Sequence, residues 1–155
     1  MRWLILLFWI LVCFAVAALG ARWNLHEIPD WYRTLTRPSF TPPERIFGPV
    51  WTLLYLLMAI AAWKITLEPP SGLRASALLL FAIQLALNLA WSWIFFQKHA
   101  IGAAFGEIIV LWVAIAATTL VFSRMNGVAA WLMTPYLGWV SFATILNGAF
   151  WRLNR

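Results

Sequence analysis

Five long apolar runs, the last four joined by only four or five residues each, leave this chain few ways to fold. They cover roughly 3–23, 46–67, 73–96, 101–122 and 128–151, each near the ~20 residues a helix needs to cross bilayer hydrocarbon. The connectors are EPPSG at 68–72, QKHA at 97–100 and SRMNG at 123–127, too short for anything but antiparallel neighbours. No internal boundary or repeat interrupts the pattern, so residues 1–155 read as a single membrane domain. Composition agrees: 64% of residues are hydrophobic and 10% charged, where soluble domains carry nearer a quarter charged. The expected fold is an all-α integral membrane protein, a bundle of five transmembrane helices with a structured loop between the first two.

The net charge of +6 then speaks to topology and lipid headgroups. No basic patch interleaved with aromatics lies on a polar surface, so nucleic acid is set aside as a partner. The first run resembles a signal peptide, with Met-Arg, an apolar stretch and AVAALGA. Its apolar part is longer than the ~7–15 residues usual for such segments, and Trp3 and Trp23 bracket it as a membrane-interface belt would. It is read as a retained first helix. The end of the bundle that holds the first loop, QKHA and the C-terminus carries Arg22, Arg33, Arg37, Arg45, Lys98, Arg152 and Arg155. The other end has Arg2, Lys64, Arg74 and Arg124. By the positive-inside rule the first loop and the C-terminus are cytoplasmic.

The polar exception is the stretch from Arg22 to Arg45, which holds seven of the sixteen charged residues. Within it Thr41-Pro42-Pro43-Glu44 fits a capping box that starts a helix at Pro42, and Gly48-Pro49 is expected to interrupt and bend that helix. Ile28, Trp31, Tyr32 and Leu35 fall at helical spacing after Pro29. They make either an amphipathic helix lying on lipid or a lid over the mouth of the bundle.

Polar side chains inside spans are costly and turn inward. Gln84, Asn88 and Trp91 share one face of the third helix; Tyr136, Trp139, Ala143 and Asn147 share one of the fifth; Trp51, Tyr55 and Met58 share one of the second. Converging, they line an aromatic pocket with a few amide handles, suited to a flat apolar ligand. The alternative is that Gln84, Asn88 and Asn147 only hydrogen-bond helices together. Glu107 is expected to reach the interface or pair with Lys98 or Arg152; a proton relay lacks a second intramembrane acid. His26 and His99 are read as solvated loop residues, with no metal or haem ligand set around them. No Ser-His-Asp set, phosphate loop or carboxylate pair suggests hydrolytic or phosphoryl chemistry. Ala82, Ala86 and Ala90 form a small-residue row on the other side of the third helix, and Gly102 and Gly106 form a GxxxG opening the fourth. The alanine row is the expected seam of a two-fold homodimer.

WYRTLTRPSFTPP in the first loop, GPVWTLLY entering the second helix, QLALNLAWSWIFF in the third and PYLGWVSFATILN in the fifth together resemble the TspO/MBR family, the tryptophan-rich sensory proteins and translocator proteins. The resemblance spans nearly the whole chain and implies a five-helix bundle, commonly homodimeric, with a ligand pocket under the first loop. It implies binding of porphyrins, haem-related tetrapyrroles and sterols, and of synthetic isoquinoline-type ligands, with no required cofactor. Family pocket positions match Trp31, Trp51, Asn88, Tyr136, Trp139 and Ala143. In some bacterial members the tryptophans matching Trp51 and Trp139 are implicated in light-dependent porphyrin breakdown. Two departures stand out. The family's KPxW becomes Arg37-Pro38-Ser39-Phe40, without the indole donor, and no Tyr follows Asn147, so the weak sterol-binding pattern L/V…Y…K/R fails there.

The favoured reading is a membrane-embedded tetrapyrrole-binding sensory or regulatory protein that also fits ligand transport. The alternative is an enzyme that degrades protoporphyrin IX with light and oxygen through Trp51 and Trp139.

Overall fold

Proline and short polar connectors set the helix ends, and the apolar runs between them become helices throughout. The computed structural model describes residues 1–155 as α1 (Arg2–Glu27), α2 (Glu44–Thr66), α3 (Gly72–Ser92), α4 (Ile101–Ser123) and α5 (Gly127–Leu153). Ser71 caps α3 by accepting from the Arg74 amide at 3.1 Å, and Asn126 caps α5 by accepting from Ala129 at 3.0 Å. The Asn126 amide also donates to Glu68 at 2.8 Å, tying the two connectors at that end together. All five helices are long and apolar enough to cross a membrane.

Around the bundle the helices are packed in the order α1, α2, α5, α4, α3, with α3 closing back on α1. One core cluster fills the middle, including Met58, Ile65, Phe81, Ile115, Phe122 and Tyr136. A second lies at the end shared by the first loop, the α3–α4 turn and the C-terminus, built on Tyr32, Phe95, Phe96, Leu146 and Phe150. Large apolar side chains such as Leu11, Leu53, Leu79 and Val113 stay exposed around the outside, the surface that lipid covers. Ala82 and Ala86 are on that outer surface and Ala90 is half-buried, so the row does face out from the bundle.

Several local expectations are corrected. The capping box does not form: the Thr41 hydroxyl donates back to the Pro38 carbonyl at 2.7 Å, α2 starts at Glu44, and the Glu44 carboxylate faces arginines instead. Two consecutive prolines hold the chain extended past the point where Thr41 would have capped. Helix α2 runs through Pro49 without ending, at the loss of the one ladder bond that an N–H there would have made to the Arg45 carbonyl. In α5, Pro135 frees the Trp131 carbonyl, and the Thr134 hydroxyl takes it up at 2.7 Å. The expected helix after Pro29 shrinks to a single 3-10 turn, Tyr32–Thr34. Only Gly102 of the GxxxG pair meets a neighbour: a Cβ there would lie 2.7 Å from the Trp151 indole nitrogen, and one at Gly106 would meet nothing within 4 Å. Glu107 reaches neither Lys98 nor Arg152; both its carboxylate oxygens are buried without a hydrogen bond. His99 is exposed in the α3–α4 turn, as expected, and also has partners there, as its contacts below show.

The end of α3 is unusual. Trp93–Gln97 winds as a π-turn, with the Lys98 amide bonding the Trp93 carbonyl at 3.1 Å. The wider turn leaves two successive rings, Phe95 and Phe96, both buried. Such π segments recur where a helix is shaped for a site.

Candidate ligand pocket beneath the first loop

A cavity of about 90 Å³ lies at the loop end of the bundle, lined by members of the second cluster and by Trp51, Trp91, Trp139 and Ala143 at the edge of the first. Its base begins with a buried polar chain. The Tyr55 hydroxyl donates to Asn88 Oδ1 at 2.7 Å, and Asn88 Nδ2 donates to the Tyr136 hydroxyl at 2.9 Å. These three side chains come from α2, α3 and α5, so the chain fixes the relative rotation of three helices. Trp51 rests over it, its ring 5.7 Å from that of Tyr55 and 6.2 Å from that of Tyr136, and presents itself to the cavity.

Two aromatic walls rise from that base. On one side the Trp91 indole donates to Asn147 Oδ1 at 2.9 Å, and Asn147 Nδ2 donates to the Ile101 carbonyl at 3.1 Å. This locks α3, α4 and α5 together and stands the Trp91 ring against Phe95 at 5.1 Å. On the other side Trp139 packs edge-on to Phe47 at 5.9 Å, and small Ala143, one turn further along α5, leaves room beside it. Fourteen residues line the cavity, eleven of them hydrophobic. An apolar aromatic ligand is what such walls solvate best.

The first loop is the cover. Tyr32 is buried against Phe150 at 5.4 Å and Phe96 at 6.0 Å, with the Arg37 guanidinium 5.0 Å from its ring centre. Burial pushes the Tyr32 hydroxyl above its ordinary range, Arg37 pulling it partly back, so it remains a neutral phenol. Trp31 stacks on His99 at 4.1 Å and 11° between planes, and His99 Nε2 lies 2.8 Å from Glu27 Oε2 at the end of α1. Arg33 and Arg37 both reach the Glu44 carboxylate, at 2.9 and 3.0 Å. Asn154 closes the far side: its amide donates to the Thr36 carbonyl at 3.0 Å and its carbonyl accepts from the Thr36 amide at 2.8 Å. Of the two readings of this loop, the packing is that of a lid over the bundle mouth.

The structure brings Trp51, Trp91, Trp139, Ala143 and Asn147 to the cavity wall. Tyr55, Asn88 and Tyr136 are behind Trp51, hydrogen-bonded to each other rather than facing the space. Gln84 is deeper still, fully buried, with its amide 3.9 Å from the Met58 sulfur. Trp31 is in the cover but not on its inner surface, a place taken by its neighbour Tyr32. Lining residues that sequence reasoning missed include Asn24, Glu44, Phe47, Phe95 and Phe150. One signal was available: the spacing of Ile28, Tyr32 and Leu35 extends back one turn to Asn24, the single amide in α1.

Comparison with known proteins agrees with this architecture. The profile of the TspO/MBR family matches residues 9–152. The tryptophan-rich protein TspO of Chlorobaculum tepidum is 39% identical over 147 residues, 92% of this chain and 91% of that one. The tryptophan-rich sensory protein of Cereibacter sphaeroides is 36% identical over 154 residues, 99% of this chain and 94% of that one. The translocator protein of Homo sapiens is 38% identical over 138 residues, 87% of this chain and 81% of that one.

Proposed function

The chain belongs to the TspO/MBR family, a multi-pass membrane protein by its five spans, and from that premise we propose that it binds tetrapyrroles beneath its first loop and serves as a sensory or regulatory protein. The observation that carries the reading is the cavity itself, walled by Trp51, Trp91, Trp139 and Phe95 and covered by Tyr32. Flat conjugated rings gain most from such walls, through area burial and offset stacking.

The cavity is also too small as it stands. Sites for drug-sized ligands span about 300–1,000 Å³, against about 90 Å³ here. A macrocycle enters only if the cover moves, and the cover is held by a few discrete contacts: Trp31 with His99, the two arginines with Glu44, and Asn154 with Thr36. Binding is thereby coupled to displacement of the loop, which gives a sensory protein a change to transmit. With the positive end inside, that loop and the C-terminus face the cytoplasm.

A second reading has its own support: Trp51 and Trp139 line the same space. Neither indole N–H is engaged within the protein, unlike those of Trp91 and Trp112. A bound porphyrin would have two oxidisable rings beside it, the arrangement that light- and oxygen-dependent breakdown requires. Titrating the purified protein with protoporphyrin IX in darkness and then under light separates the two. Saturable quenching with an unchanged absorption spectrum supports binding; turnover to a new chromophore supports the enzyme; no saturable binding would refute both.

A further inference from the structure

We infer that Glu107 is a neutral carboxylic acid in the folded bundle and is its proton-binding site, so that the proton is itself a ligand of this protein. Glu107 is on α4, six residues and about 9 Å in from the start of the helix. It lies one turn from Ala104 on one side and from Leu111 on the other, both buried. Both of its carboxylate oxygens are buried, and neither has a hydrogen-bond partner. The inference is independent of what binds beneath the first loop.

Nothing on the neighbouring elements compensates a negative charge there. The ion pairs of the chain join Arg33 and Arg37 to Glu44 and His99 to Glu27, all at the loop end. Helix α3 and the π-turn after it carry one charged side chain, Arg74. It is at the opposite end of the bundle, bonded to the Thr66 and Glu68 carbonyls. Lys98, in the turn before α4, holds its ammonium over the Trp93 ring at 4.7 Å. Helix α5 carries Tyr136 and Arg152. Tyr136 is fully buried and its hydroxyl accepts from Asn88, while Arg152 does not reach Glu107. Tyr55 of α2 and Cys13 of α1 are the other buried titratable groups, and ionising either would only add negative charge.

A carboxylate taken out of water and left without a cation or a donor costs more than protonating it does. The neutral acid removes that cost. A proton relay would need a second group to receive the proton, whereas a binding site needs only two states that hold it differently. Any rearrangement of α4 against its neighbours that admits water lets the acid ionise, and the proton passes to that water. Closed packing and the bound proton therefore stabilise each other. The sign of the pH dependence follows. Below the ordinary carboxylate range the acid is neutral in both the folded and the unfolded chain and costs nothing. Above that range the unfolded chain releases a proton that the folded bundle keeps, so stability falls as pH rises.

The test uses the full chain and two readouts. In nanodiscs at neutral pH, the infrared spectrum of the wild type should contain the carbonyl stretch of a protonated carboxyl group, and Glu107→Gln should lack it. The chain has five acidic residues. The other four, Glu27, Asp30, Glu44 and Glu68, are at helix ends or between helices, so the band has one source. The second readout is unfolding by denaturing detergent from about pH 5 to about pH 8, on either side of neutrality and above the ordinary carboxylate range. Relative to Glu107→Gln, the wild type should lose up to about tenfold in its folding equilibrium per pH unit, the slope of one proton. A folded wild type with no protonated carboxyl at neutral pH would have an ionised Glu107 served by internal water, and would overturn the inference whether or not the glutamine variant folds. Parallel pH profiles for the two proteins would overturn it as well.

Discussion

Removing Asn88 should damage the bundle more than the ligand site. Asn88 makes two hydrogen bonds, accepting from Tyr55 at 2.7 Å and donating to Tyr136 at 2.9 Å, and it lies outside the cavity lining. In Asn88→Leu both bonds vanish while shape is kept. Side-chain bonds between membrane helices average about 0.6 kcal/mol each and reach about 1.7, so the pair accounts for roughly 1–3 kcal/mol. The change also strands the hydroxyls of Tyr55 and Tyr136, which are 5% and 0% exposed, placing the total toward the upper end. The assay is unfolding by denaturing detergent, followed by helix content, beside a protoporphyrin IX titration of the same sample. The expected result is a stability loss of about 2–3 kcal/mol with affinity within about threefold of wild type. A large drop in affinity at unchanged stability would refute the assignment and return Asn88 to the ligand.

Other outcomes follow from the same geometry. Gly148→Val should destabilise the protein, because a Cβ at that position already meets the Phe105 ring at 2.9 Å, while Gly106→Ala, facing open space, should be neutral in the same unfolding assay. His99→Ala removes both the Trp31 stack and the Glu27 contact; a cysteine at Thr34 in a Cys13→Ala background should then label faster, and unchanged labelling would show that the loop is held elsewhere. Ala86→Trp should shift the protein toward monomer by light scattering with ligand affinity unaltered, since Ala86 is on the outer surface; an unchanged dimer would rule out the alanine seam. Single cysteines at Lys98 and Arg124 in that background should be reached by impermeant reagent from the cytoplasmic and the opposite side respectively, and the reverse pattern would invert the topology.

The bundle was legible because bilayer length is a strict ruler and the connectors are short. Helix existence and order came directly from 46–67, 73–96, 101–122 and 128–151, while ends moved by a few residues, most at α1, which continues to Glu27. The candidate site was legible in its walls, and its cover only as one of two readings of the first loop. Trp51, Trp91, Trp139, Ala143 and Asn147 recur at helical spacing on faces that must turn inward. Periodicity alone does not say how deep along the bundle a residue sits, so Tyr55, Asn88 and Tyr136 carried the same signal as the residues that line the cavity. The detailed path of the cover was hidden for another reason. Its turn is set by Pro29, Pro38, Pro42 and Pro43, and its position by contacts across the sequence, such as Asn154 with Thr36 over 118 residues. Glu44 misled by local pattern: the capping-box spacing was present, but two arginines in the loop offered its carboxylate better partners.

The claim that a planar ligand occupies the space beneath the first loop is tested most directly by filling that space. Ala143 lines the cavity beside Trp139, so Ala143→Trp places an indole where the ligand would lie. Protoporphyrin IX titrated in darkness against tryptophan fluorescence should give saturable, one-to-one quenching with the wild type. With a folded Ala143→Trp protein, that saturable quenching should be abolished. Equal affinity in the two proteins would place the ligand elsewhere and contradict the account.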